Sequence, residues 1–179
     1  SSGLPEIDAR GGQYFRLECN DEDVVSSDPS LNVVLSEDTP AESYIPAGAT
    51  GFPVLKFKIS TGNEDVDIGN IYIKRSGNAL ADDFSKVVLK DENGKEFEAK
   101  IMGEYEDIYD FTSVSLTKNS TTTFTLYCDI TGVDEIQNEY EWRSFHMDIV
   151  GIEYNGEYRW DGDTLFSALF TFVNPESIY

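Results

Sequence analysis

Thr123-Phe124-Thr125-Leu126-Tyr127-Cys128-Asp129-Ile130 decides the fold class. Phe124, Leu126, Cys128 and Ile130 share one parity, and Thr123, Thr125, Tyr127 and Asp129 share the other. A period of two is what a strand with one buried face requires, whereas a helix would scatter these residues around its circumference. The first set therefore points to a core and the second to water.

The same period recurs on either side of this stretch. Leu31, Val33 and Leu35 alternate with Asn32, Val34 and Ser36, and Leu55, Phe57 and Ile59 alternate with Lys56 and Lys58. Val66 and Ile68 share one phase, while Ile71 and Ile73 share the opposite one. An extra residue at Gly69-Asn70, a β-bulge, returns all four to one face. Val87 and Leu89 run into Asp91-Glu92-Asn93-Gly94, after which Phe97, Ala99 and Ile101 resume the apolar phase. This is a hairpin signal, because Asn and Gly tolerate positive φ. Phe145, Met147 and Ile149 make a further strand, and Asn155-Gly156 marks a second hairpin before Tyr158 and Trp160. Nine or ten strands joined by short turns predict an all-β chain, an antiparallel β-sandwich of Ig-like or jelly-roll type. Helical turns are expected only within residues 81–85 and 134–138. The expected organisation is an irregular N-terminal arm over residues 1–30, then one domain over residues 31–179.

One run departs from the pattern. From Leu165 to Val173 both parities are apolar: Phe166, Ala168, Phe170 and Phe172 on one, Leu165, Leu169 and Val173 on the other. Either the protein covers both faces of this strand, or the face of Leu165, Leu169 and Val173 is covered by another subunit. The arm carries Tyr14, Phe15 and Leu17, which suit a segment donated to the open sheet edge of a neighbouring copy.

The charge balance excludes several roles. The chain has 34 acidic and 13 basic residues, a formal net charge of -21. Such a surface repels phosphate backbones and anionic lipids, which argues against nucleic-acid and membrane-surface roles. No stretch reaches the roughly 20 apolar residues that cross a bilayer. The first residues lack a basic start and an apolar core, so no signal peptide is read there; a mature exported chain would begin this way, and so would a cytoplasmic one.

Candidate sites are few. Cys19 and Cys128 are the only thiols, and a disulfide between them is expected. One histidine and two distant cysteines do not make a zinc site. The lone His146 lies on the parity opposite Phe145 and Met147, which reads as a solvent-facing structural residue. With no nucleophile elbow, phosphate loop or His-Glu-x-x-His helix, no catalytic residue is predicted. Ca2+ is the one cofactor with candidate ligands: Glu64, Asp65 and Asp67, then Asp82 and Asp83, then Asp161 and Asp163, although none completes a calcium-loop pattern. Asn119-Ser120-Thr121 is a glycosylation acceptor pattern. Trp142, Tyr154, Tyr158 and Trp160 are either a sugar-stacking platform or ordinary cross-strand packing.

The stretch from Ile45 to Ile101 resembles a domain of large bacterial surface and surface-layer-like proteins. The likeness is carried by Ile45-Pro46-Ala47-Gly48-Ala49-Thr50, Leu55-x-Phe57-x-Ile59, Asp65-Val66-Asp67-Ile68, Ile71-x-Ile73-x-Arg75-x-Gly77 and Asp83-Phe84-Ser85-Lys86-Val87-x-Leu89-x-Asp91. It implies Ig-like sandwiches strung together outside the cell, and it brings no catalytic residues. The expected function is a non-enzymatic structural subunit of an extracellular assembly (fibre, pilus-like filament or surface layer) that joins copies of itself through strand edges. The alternative is a carbohydrate-binding or adhesive module using exposed aromatics and Ca2+, with glycans or other surface proteins as partners.

Overall fold

The Phe124–Ile130 stripe lies in β9 (Thr121–Ile130), the central strand of a five-stranded antiparallel sheet. The computed structural model describes residues 30–102, 105–131 and 143–174. Tyr14, Phe15, Leu17, Cys19, Trp142 and the turn expected within residues 134–138 lie outside these. In the first sheet β9 is flanked by β3 (Phe52–Thr61) and β5 (Phe84–Asp91), with β1 (Leu31–Leu35) beyond β3 and β6 (Glu96–Glu98) beyond β5.

The second sheet runs in the order β2 (Ser43–Pro46), β13 (Phe170–Val173), β10 (Ser144–Tyr154), β4 (Val66–Gly77), β8 (Tyr105–Leu116), β7 (Lys100–Met102). The short strands β11 (Tyr158–Arg159) and β12 (Leu165–Phe166) also pair with β10. All pairings are antiparallel except that of β13 with β2. The sheets pack face to face as an all-β sandwich around a phenylalanine-rich core. Phe57, Phe111, Phe124, Phe145, Phe170 and Phe172 are fully buried. Phe57 stacks on Phe124 at 5.6 Å between ring centres, and Phe84 meets Phe145 edge-on at 4.8 Å. Each such side chain contributes about 1.5–3 kcal/mol by leaving water.

The bulge falls where the phase slip requires it. Glu153 pairs with Asn70 and Tyr154 with Ile68, so Gly69 is the extra residue, and Val66, Ile68, Ile71 and Ile73 are all buried. Both hairpins form at Asn-Gly. Asp91 Oδ1 accepts the amides of Asn93 (2.8 Å) and Lys95 (2.9 Å), with Gly94 at positive φ. At the second hairpin Asn155 and Gly156 both have positive φ. A 3-10 turn, Ala81–Asp83, occupies the first expected helical stretch.

Two expectations are corrected. The run through Phe97, Ala99 and Ile101 is not one strand: it changes sheets at Ala99, passing from β6 to β7. The run from Leu165 to Val173 is likewise two strands, split at residues 167–169. There the buried Ser167 hydroxyl accepts the Met147 amide at 2.9 Å and donates to the Ala168 carbonyl at 2.8 Å. The break resets the phase, so Phe170 and Phe172 point into the core while Phe166 points out. Thirteen strands are seen among the described residues rather than nine or ten, because such breaks create several two- to four-residue pieces.

An ion pair between Arg143 and Asp83 ties the sheets together. Arg143, just before β10, donates to Asp83, just before β5, through Nε (3.0 Å) and a terminal nitrogen (2.5 Å). The Asp83 side chain is 5 % exposed and also accepts the Leu80 amide at 2.7 Å. The outermost strands at one flank are β6 and β7, joined directly at Ala99, and at the other β1 and β2, joined through residues 36–42.

Candidate functional site

The flank that ends in β2 carries three of the large apolar side chains the fold leaves exposed. In β2, Ile45 points inward and is fully buried, so its neighbour Tyr44 must point outward, and it is 64 % exposed. In β12 and the short link to β13, Phe166 is 57 % and Leu169 is 42 % exposed. Tyr44 is the register partner of Thr171 in β13, and Phe166 of Asp148 in β10, which places these residues on the same side of one sheet. The far edge of β2 has no strand partner among the described residues. Of the expected association residues in this run, Leu169 lies in the patch, whereas Leu165 packs against the core and Val173 is half-buried. Phe166 and Tyr44 are not among the association residues expected from the sequence. The parity of Tyr44 against Ile45 was the available signal for one, and Ser167 in an apolar run for the other.

His146 adjoins this patch and is half-buried rather than freely solvated. Its ring lies 6.0 Å from that of Phe166, and Nδ1 is 2.7 Å from Asp148 Oδ1. Asp148 is buried, and Ser76 Oγ donates to its other oxygen at 3.0 Å. The three residue types of a hydrolase triad thus meet, but the serine bonds to the carboxylate and not to the imidazole. That geometry leaves the hydroxyl without the base that would activate it.

A second polar group lies further along the same face. Tyr72 donates to Glu153 Oε1 at 3.2 Å, and Arg159 pairs with Glu153 Oε2 at 3.1 Å. The Asn70 amide reaches Glu153 at 3.4 Å and, turned over, Asp110 at 3.1 Å. Burial pushes the Asp110 carboxyl up from its ordinary value and does the same to the Tyr72 phenol.

The proposed calcium ligands are occupied elsewhere or stand apart. Asp65 accepts the Lys118 amide at 2.8 Å, Asp67 accepts the Ser115 hydroxyl at 2.8 Å, and Asp83 is held by Arg143. Glu64, Asp82, Asp161 and Asp163 are exposed. Among the described residues no three acidic, histidine or cysteine side chains gather into a metal-sized group. Gly162, between Asp161 and Asp163, makes room for an aromatic ring: an added Cβ would sit 2.4 Å from the Trp160 indole.

The aromatics of the second hairpin are packing residues. Tyr154 is buried and stacks on Tyr158 at 5.7 Å, and both Tyr158 and Trp160 pack against the core. Cys128 is fully buried, and burial pushes its thiol ionisation up; its expected disulfide partner Cys19 lies outside the described residues. Asn119 is exposed at positive φ in the turn between β8 and β9, with its amide donating to the Gly62 carbonyl at 2.6 Å. No helix among the described residues is long and apolar enough to cross a membrane.

No family model matches the sequence, and no curated protein matches it. Solved structures with a similar fold include a family 123 glycoside hydrolase from Clostridium perfringens (9 % identity, TM-score 0.44, 83 % of this chain). The chain spans 27 % of that hydrolase's length. AvmM, which catalyses macrocyclisation in alchivemycin A biosynthesis, is 13 % identical (TM-score 0.37, 86 % of this chain and 94 % of that one). AggA, the major subunit of aggregative adherence fimbriae type I from Escherichia coli, is 11 % identical (TM-score 0.31, 83 % of this chain and 98 % of that one). Across such different activities the likeness concerns fold alone.

Proposed function

We propose that this chain is a non-enzymatic structural subunit of an extracellular surface assembly, joining copies of itself at the β2 flank. The observation that carries this reading is the open edge of β2 beside Tyr44, Phe166 and Leu169. An unpaired edge next to exposed apolar side chains invites strand addition from another chain. The donor in this reading is the N-terminal arm of a neighbouring copy, whose Tyr14, Phe15 and Leu17 supply apolar side chains to the patch while its backbone extends the sheet. Carboxylates over the remaining surface keep subunits soluble until they join.

Light scattering coupled to size exclusion, followed by negative-stain microscopy, tests this on three chains. The full chain is expected to form filaments or sheets. A chain lacking residues 1–18 and a Phe166→Ser/Leu169→Ser chain are both expected to remain monomeric with unchanged thermal midpoints. Assembly by the truncated chain would remove the arm from the reading, and a monomeric full chain would overturn self-association itself.

A further inference from the structure

The opposite sheet carries a feature unrelated to the β2 flank. On the outward parity of the first sheet, Lys56 in β3, Thr125 in β9 and Lys90 in β5 stand in one row, because Thr125 is the register partner of both lysines. With strands about 4.8 Å apart, two ammonium-bearing chains thus straddle a threonine roughly 10 Å from one another at the backbone. Thr123 and Tyr127, also of β9, lie on either side of this row, and the turn carrying Glu92 forms a wall. Together they line a hollow of about 500 Å³. That size falls within the range of small-ligand sites.

The chemistry of the lining is mixed in a particular way. Lys90 Nζ lies 5.3 Å from the centre of the Tyr127 ring and 3.2 Å from Glu96, and Lys56 Nζ is 2.5 Å from Asp38. Each ammonium has three donors, so both retain capacity for a second acceptor. Glu92 spends one carboxylate oxygen on the Thr123 amide at 3.0 Å, which leaves the other to accept. The Thr125 and Tyr127 hydroxyls have no partner among the described residues. Asp91 also lines the hollow, its Oδ1 spent on the turn amides of Asn93 and Lys95. Cations, free hydroxyls, an aromatic ring and accepting carboxylates in one hollow are suited to a ligand that offers both a negative charge and several hydroxyl groups. A polyphosphate lacks hydroxyls to give Glu92, and a neutral sugar leaves the lysines unused.

We infer that this hollow binds a carboxylated sugar, its carboxylate between Lys56 and Lys90 and its hydroxyls on Thr125, Tyr127 and Glu92. Screening at physiological salt confines distant charges to about 8 Å, so the net charge of -21 acts at the hollow through its local groups alone: Lys56 and Lys90, their partners Asp38 and Glu96, and the lining Asp91 and Glu92. This inference is independent of self-association and would survive its failure.

The test uses the full chain with trigalacturonate and, as its neutral counterpart, galactotriose, followed by calorimetry and by amide chemical shifts in β3, β5 and β9. Trigalacturonate is expected to bind at least about tenfold more tightly than the neutral sugar, and less tightly as salt rises. Lys56→Gln/Lys90→Gln is expected to lose on the order of tenfold or more in affinity. Thr125→Val, which preserves shape, is expected to lose a smaller factor with the thermal midpoint unchanged. The chain lacking residues 1–18 should bind as the full chain does. Absence of binding at millimolar trigalacturonate would overturn the inference. So would equal affinity for the two sugars, shifts confined to other strands, or equally tight binding of a poly-glutamate peptide, which would mark a surface for acidic proteins instead.

Discussion

β9 and the C-terminal run of residues 165–173 are equally apolar at first sight, yet they behave differently. In β9 every buried residue is followed by a polar one, so sliding by one position would put Phe124, Leu126, Cys128 and Ile130 in water and only one register survives. The strand is accordingly ten residues long, unbroken, and paired on both edges. The C-terminal run has apolar residues on both parities, so its pattern selects no phase. The buried Ser167 hydroxyl sits at the break and accepts the Met147 amide, with Phe166 facing out before it and Phe170 facing in after it. Apolar content fills a core, but polar residues in alternation specify which core.

The sharpest way to break this comparison is to truncate one phenylalanine in each region. Phe124→Ala removes a buried ring stacked on Phe57 and is expected to cost about 3–5 kcal/mol in urea unfolding. Phe166→Ala, in the outward position of β12, is expected to stay within about 0.5 kcal/mol. Near-equal losses would mean that Phe166 is buried after all. Ser167→Ala comes next. It leaves the Met147 amide without its hydroxyl acceptor and is expected to cost about 1–3 kcal/mol, with faster amide exchange along β12 and the adjoining part of β10. If exchange there is unchanged, the hydroxyl does not set the break.

A smaller effect concerns Cys128 at the centre of β9. Because burial raises its ionisation and hides the sulfur, alkylation is expected only under denaturant. Intact mass under non-reducing denaturing conditions then decides between a free thiol, which is alkylated, and a Cys19–Cys128 bridge, which is not. The smallest effect lies just beyond β1. Hydrogen bonds from Lys56 and then Ser36 hold the Asp38 carboxyl at about 2, below its ordinary 3.8. A depressed carboxyl stabilises the fold fully above 3.8 and loses that contribution as pH falls through about 2. Asp38 is exposed, so little stability is at stake. A carboxyl titration by NMR should show the low midpoint, and Lys56→Met should return it towards 3.8.

Much of the architecture was legible because it rests on local patterns. The bulge at Gly69, the Asn-Gly turns and the inward stripe of β9 each follow from a few adjacent residues. The crossing at Ala99 was not legible, since Phe97, Ala99 and Ile101 keep the same parity while the chain changes sheets. Nor was the pair of Asp83 with Arg143, because among so many acids nothing local names the partner. The candidate sites were less legible still. Glu64, Asp65 and Asp67 look like metal ligands in sequence, but Asp65 and Asp67 serve turns and neighbouring strands. Lys56, Thr125 and Lys90 become neighbours only through the strand register, which single-strand periodicity does not contain. His146 was placed on the correct parity, but its bond to Asp148 depends on how deeply the carboxylate sinks.

The Asp83–Arg143 pair has a further consequence for a chain used as a link in a fibre. Tension entering at β1 arrives on one sheet, and tension leaving beyond β13 departs from the other. The load therefore has no single hairpin to unzip: it passes from sheet to sheet through the phenylalanine core, through the bidentate Asp83–Arg143 bridge, and along the chain itself where it crosses at residues 36–42 and at Ala99.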